Sequence, residues 1–217
     1  TLSEGKPKDA TEKQKNPFEK LPIEAESALV FDIAKRKTIY AKNAEAQLPL
    51  ASLAKLMTAL IAEETLLPNE AVVLSKEAVA EEGDNGLLVD ELWQKKDLVS
   101  LTLLASSNDG AHALAQAVEA FRVRENEKDA PIEFVSFRDI MNARAQELKL
   151  TQTYFLNAEG LDVYEQESGA YSSVLDIAIL LSYILSNAPH IFDATQYGEQ
   201  TFTSLGGVTQ IFKNTNE

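Results

Sequence analysis

Leu48-Pro49-Leu50-Ala51-Ser52-Leu53-Ala54-Lys55-Leu56-Met57-Thr58-Ala59 is the stretch on which the reading of this chain turns. Leu53, Leu56, Met57 and Leu60 recur at helical spacing, and Ala59 and Ile61 widen the stripe almost all round. This predicts a buried helix over 52–64. Ser52 stands at its start and Lys55 three residues on, so both side chains share one helical face. A serine hydroxyl is a poor nucleophile unless a base is held beside it. A lysine whose stem runs along Leu56 and Met57 loses hydration, which lowers its pKa and makes it usable as that base. The backbone N–H of Ser52, near the positive end of the helix, is placed to support an oxyanion. The same spacing also arises from a serine cap followed by a solvated lysine. Taken alone the pair does not choose, although a helix apolar on nearly every side offers a solvated lysine little room.

Working outward, Ser106-Ser107-Asn108 falls between two helical stripes, one of Leu98, Leu101 and Leu104, the other of Leu114, Val118 and Phe121. Polar side chains at such a break either face a cleft or cap the next helix. Before the serine helix, residues 27–42 read as a hairpin: Leu29, Phe31 and Ile33 alternate onto one face and Lys35-Arg36-Lys37 makes the turn. After the break, Ser136 caps a helix with a stripe of Ile140, Met141, Ala145 and Leu148. Ser173 caps another with a stripe of Val174, Ile177, Ala178, Leu181 and Leu185, ended by Pro189. A second hairpin over 201–204 and 208–212 turns at Gly206-Gly207. His112, in an alanine-rich helix, reads as packed or surface, Trp93 as an anchor, and the run from Glu81 to Gly86 as a solvated loop near the cleft mouth, with calcium binding as its minor alternative. Residues 1–22 are expected to be a flexible polar leader and 23–217 an incomplete single domain.

Composition narrows the function. The chain has 217 residues, 45% hydrophobic and 25% charged, which suits one domain with a real core. A formal net charge of −14 argues against nucleic acid and against anionic lipid surfaces. The absence of cysteine excludes disulfides, thiolate catalysis and zinc–thiolate sites, and only two histidines, His112 and His190, argue against a His-rich metal site. No cofactor is expected. No apolar run is long enough for a membrane span, and Thr1-Leu2-Ser3-Glu4-Gly5-Lys6-Pro7-Lys8 is not a signal peptide, so any membrane anchor is expected outside these residues.

S-x-x-K, then serine-x-asparagine, then K-T-G is the signature of penicillin-binding proteins and active-site serine β-lactamases. Leu48 to Ala59 resembles the nucleophile segment of the low-molecular-mass D-alanyl-D-alanine carboxypeptidases. Leu103-Leu104-Ala105-Ser106-Ser107-Asn108-Asp109-Gly110-Ala111 resembles their second motif, with Ser107 where glycine is usual. Asn157-Ala158-Glu159-Gly160-Leu161-Asp162 and Tyr171-Ser172-Ser173-Val174-Leu175-Asp176 resemble two further stretches of that family. The resemblance implies an α/β (α+β) fold of the penicillin-binding type, an antiparallel sheet with a helical subdomain. It implies that Ser52 is acylated by a D-Ala-D-Ala stem peptide of peptidoglycan or by a β-lactam, that Lys55 takes its proton, and that Ser106 relays a proton to the leaving group. Asn108 would bind the substrate amide and hold Lys55, with Ser107 beside it at the substrate. The expected location is the extracytoplasmic cell envelope.

The 217 residues hold no K-T-G; Lys213-Asn214-Thr215 lacks the glycine and occupies the preceding segment. The resemblance therefore implies that the C-terminal strands and last helix are missing, leaving Leu29, Phe31 and Ile33 facing an incomplete core beside an unpaired edge. The remainder of the same protein, in a longer chain or as a second polypeptide, is the expected partner. A class A β-lactamase would need a glutamate just before Leu156-Asn157, where Tyr154-Phe155 stand instead. A catalytically inactive binding or regulatory protein on the same fold is the other alternative, favoured by Ser107 and the absent motif.

Overall fold

Residues 22–83, 86–126 and 136–215 are described in a computed structural model. The polar leader expected over 1–22 lies, except for Pro22, outside the described residues. β1 (Ala28–Asp32) and β2 (Lys37–Lys42) form the expected antiparallel hairpin, pairing Ala28 with Lys42 and Asp32 with Lys37. A bulge at Val30/Phe31 shifts the register, and the alternation ends there. Leu29 and Phe31 are half-buried, but Ile33 lies in the turn, where its carbonyl accepts from Arg36, and it is 44% exposed.

β3 (Leu48–Pro49) leads into a 3₁₀ turn over Ala51–Ala54, and only then does α1 (Lys55–Thr65) begin. The single helix expected from Ser52 is thus split in two. With three residues per turn, the 3₁₀ segment brings Ser52 onto the line of Lys55 and carries Leu53 off the apolar stripe. Leu53 is 49% exposed, whereas every residue from Ala54 to Ala62 is buried. β4 (Ala71–Val73) pairs with β5 (Leu92–Gln94), and α2 (Lys95–Ala105) and α3 (Asn108–Asn126) follow. These two helices pack with α1 around Met57, Leu60, Leu98, Leu101, Leu114 and Val118, all fully buried. Each such side chain contributes about 1.5–3 kcal/mol, so this three-helix body is the rigid platform for the serine segment.

α4 (Phe137–Glu147) starts at Ser136, whose Oγ accepts from the Asp139 N–H at 3.2 Å. β6 (Tyr154–Phe155) and β7 (Ala170–Ser172) join β3 in a sheet ordered β3-β7-β6. α5 (Val174–Asn187) is capped by Ser173, with 3.1 Å from the Asp176 N–H to Oγ. Its buried line runs through Asp176, Leu180 and Ile184; Leu185, expected in the core, is 43% exposed. This helix is apolar on nearly every side, so periodicity alone did not give its phase. A 3₁₀ turn at Pro189–Phe192 follows. β8 (Glu199–Thr203) and β9 (Thr209–Lys213) form the last hairpin, with Gly207 at φ +84° in the turn. Trp93 is fully buried and meets the Phe212 ring edge-on at 6.3 Å, which ties this hairpin to β5. Every strand pair among the described residues is antiparallel, but the expected sheet is distributed over four short pieces. No single helix among the described residues is long and apolar enough to cross a membrane.

Candidate active site

The serine segment is held from below by its own strand. The Leu50 N–H donates to the Ala170 carbonyl at 2.9 Å, and Ala51 then turns through φ +47° into the 3₁₀ turn. That turn leaves Ser52 exposed while burying Lys55, which is 2% exposed. Lys55 Nζ donates to Ser52 Oγ at 2.9 Å and to the Glu159 carbonyl at 3.0 Å. The second acceptor comes from a segment shaped by one side chain. Asn157 Oδ1 accepts from the Gly160 N–H at 2.7 Å, and Asn157 Nδ2 donates to the Leu161 carbonyl at 2.7 Å. The resulting loop aims two carbonyls at α1: Glu159 toward Lys55, and Ala158 toward Thr58 Oγ1 at 2.7 Å. Gly160, at φ +83°, makes this approach feasible, because a Cβ there would stand 1.9 Å from the Ala51 carbonyl oxygen.

Burial pulls the Lys55 amine down from 10.5 to about 8, against the Glu159 carboxylate, which pushes it up. A buried ammonium loses hydration that a single hydroxyl and a single carbonyl only partly restore. At a pKa of about 8 roughly a tenth of the amine is free base at pH 7 and half at pH 8, far more than for an exposed lysine, and it lies 2.9 Å from the Ser52 hydroxyl.

The second motif divides its duties. Ser106 ends α2 in the left-handed conformation, φ +55° and ψ +38°, uncommon for a residue with a side chain. It shares with Ser52 and Lys55 the wall of a cavity of about 410 Å³, whose other lining includes Leu56, Leu103, Leu181 and Phe192. Ser107 corrects the expectation of a substrate contact. It is fully buried, and its Oγ accepts from the Gly110 N–H at 3.0 Å, capping α3. The glycine usual at this position lacks that hydroxyl, so the replacement serves the helix. Asn108 differs from expectation too: its amide donates to the Glu82 carbonyl at 2.5 Å, and Lys55 is held by Glu159 instead.

Sequence reasoning missed one cluster. His112 Nδ1 lies 3.0 Å from Glu81 Oε1 and 3.1 Å from Glu159 Oε1, so the acidic loop, α3 and the Asn157–Gly160 loop meet at one imidazole. The hydrogen bond to Glu159 holds the His112 pKa above its ordinary value, against burial. The advance signals were the acidic run from Glu81 near the cleft mouth and Glu159 inside a family-like stretch, and nothing in the sequence joined either to His112.

An exposed serine aligned with a buried lysine, a second serine at a helix break beside them, and a helical body flanked by antiparallel strands define the fold of penicillin-binding proteins and DD-transpeptidases. Residues 10–217 match the D-alanyl-D-alanine carboxypeptidase family, peptidase family S11, and the chain belongs to it. It is 31% identical over 171 residues to the D-alanyl-D-alanine carboxypeptidase DacF of Bacillus subtilis, covering 76% of this chain and 40% of that protein. Penicillin-binding protein D2 from Listeria monocytogenes, in its cefotaxime-bound form, superposes with a TM-score of 0.69 at 27% identity, covering 91% of this chain and 74% of that one. A mutant of the Streptomyces K15 DD-transpeptidase gives a TM-score of 0.73 at 25% identity, with coverage of 91% and 76%. The chain spans 40% to 50% of the length of the first curated relatives it matches.

Proposed function

We propose that this chain carries the acylating centre of a serine D-Ala-D-Ala carboxypeptidase that acts on peptidoglycan stem peptides in the extracytoplasmic cell envelope. The observation that carries the reading is the buried Lys55 amine 2.9 Å from the exposed Ser52 hydroxyl. Lys55 as free base takes the Ser52 proton while Oγ bonds to the carbonyl carbon of the penultimate D-alanine. The Ser52 N–H, at the head of the serine helix, supports the oxyanion. Collapse breaks the peptide C–N bond, Ser106 passes a proton to the departing D-alanine amine, and water then hydrolyses the ester. A β-lactam follows the same first step, but its ring nitrogen stays tethered after the C–N bond opens. The cefotaxime-bound form of the Listeria relative supports that arm.

Asn108 is assigned to the substrate amide, which requires its Nδ2 to exchange the Glu82 carbonyl for the substrate. The segment bearing K-T-G, which would hold the substrate carboxylate, is assigned to the remainder of the protein. Supporting this, the cavity beside Ser52 has a mainly apolar lining, and Val30 on β1, Ile33 in the turn after it, and Ile179 and Leu185 on α5 are exposed apolar side chains. The test is intact mass after incubation with benzylpenicillin, using the protein with its K-T-G segment. A gain of one β-lactam mass, lost in Ser52→Ala, supports the assignment; no adduct overturns it.

A further inference from the structure

Three segments distant in sequence bring one imidazole and two carboxylates together. Glu81 follows a 3₁₀ turn at Ala78–Ala80, His112 stands on the second turn of α3, and Glu159 belongs to the loop after β6. One ligand atom from each lies within 4.8 Å of the other two. The Glu159 side chain is 5% exposed, and a buried carboxylate needs a counter-charge. Its ion partner is His112, but the same nitrogen, carrying a single proton, also faces Glu81. Among the described residues no lysine or arginine pairs with either carboxylate. Glu77 and Glu119 deepen the negative field at the imidazole, and the nearby Lys55 ammonium is directed at Ser52 and a main-chain carbonyl.

We propose that Glu81, His112 and Glu159 form a binding site for a divalent transition-metal cation of the Zn²⁺ class. Two carboxylates neutralise such an ion, which replaces the proton on Nδ1. Ligand atoms about 2.0–2.2 Å from a tetrahedral Zn²⁺ stand roughly 3.3–3.6 Å apart, so the separations of 3.0 and 3.1 Å from Nδ1, those of a hydrogen-bonded imidazole, need to open by only about 0.3–0.5 Å to admit the ion. A nitrogen donor with two carboxylate oxygens selects Zn²⁺ and its first-row neighbours over Ca²⁺ and Mg²⁺, which prefer an all-oxygen shell. His112 and Glu81 are 30% and 28% exposed, so solvent can reach the site and complete the shell. The scarcity of histidine argued against a His-rich site; this ligand set needs only one.

The position gives the ion a consequence. The Glu159 carbonyl holds Lys55, and the carbonyl of Glu82, next to Glu81, holds Asn108. A cation here clamps together the two segments that engage both motifs. The test is titration of the EDTA-treated chain with Co²⁺, followed by its visible spectrum, and with Zn²⁺ by calorimetry. One ion per chain is expected at micromolar concentration, with affinity at least about tenfold weaker in His112→Ala and in Glu81→Gln. Circular dichroism checks that both variants fold; Glu81 sits at the partly exposed rim, so its variant keeps the test valid if the other unfolds. No retained ion at that concentration, or binding indifferent to both substitutions, overturns the proposal: the trio is then a protonated histidine between two carboxylates. Neither readout depends on reactivity at Ser52.

Discussion

Gly160→Ala tests how the serine segment is held. The added Cβ would stand 1.9 Å from the Ala51 carbonyl oxygen, where ordinary contact begins near 3.4 Å, so one backbone must retreat by about 1.5 Å. Two costs combine. Holding a residue with a Cβ at φ +83° costs about 1–2 kcal/mol, and forcing packed backbone apart adds about 1–3 kcal/mol. The total is about 2–5 kcal/mol. Gly207→Ala separates them, because Gly207 has nearly the same φ, +84°, with nothing within 4 Å of its Cβ position. It should lose only the conformational part, about 1–2 kcal/mol. Urea unfolding of both variants, with unchanged m-values, reads the difference directly. The displacement in Gly160→Ala falls on Ala51, next to Ser52, so penicillin acylation should slow in that variant and stay at the wild-type rate in Gly207→Ala. Equal destabilisation in the two variants, or unchanged acylation in Gly160→Ala, would refute the argument that this close approach positions the nucleophile.

Two further outcomes follow from the site. Because burial lowers the Lys55 amine to about 8, its free-base fraction grows as pH rises through that value, and acylation of Ser52 should rise with it and level off above. Lys55→Arg, which stays protonated, should lose about 10²–10⁴-fold; a wild-type rate flat across pH 8 would show that this lysine is not the base. The sign for stability is the same: between about 8 and 10.5 the unfolded chain holds the Lys55 proton more tightly, so the contribution of this group to stability rises with pH there. Ser107→Ala should cost about 0.5–2 kcal/mol through the lost cap on α3 yet leave β-lactam labelling intact, whereas Ser106→Ala should slow labelling. Loss of labelling in Ser107→Ala without loss of stability would return that serine to the substrate.

Much of this molecule was legible locally because the interactions concerned are local. Ser136 and Ser173 cap their helices through hydrogen bonds three residues away, and Ser52 meets Lys55 across one turn. The break at Ser106 is likewise a property of adjacent residues, and the ordered motif segments identified the family that residues 10–217 match. What periodicity could not give was phase where the pattern is saturated. α5 is apolar nearly all round, and the serine helix begins as a 3₁₀ turn, so Leu185 and Leu53 face solvent against expectation.

Tertiary structure alone decided which groups hold Lys55 and Asn108. Lys55 finds its second acceptor 104 residues away at Glu159, and Asn108 gives its amide to Glu82, 26 residues back. Glu81, His112 and Glu159 become neighbours only once the acidic loop, α3 and the Asn157–Gly160 loop converge. The sequence by itself determined the pairing of Ser52 with Lys55, the serine caps at Ser136 and Ser173 and the family, since each rests on spacing within a turn or on residues in a row. The depressed lysine, its carbonyl cradle and the imidazole between two carboxylates required the fold, because burial and charge are properties of assembled segments.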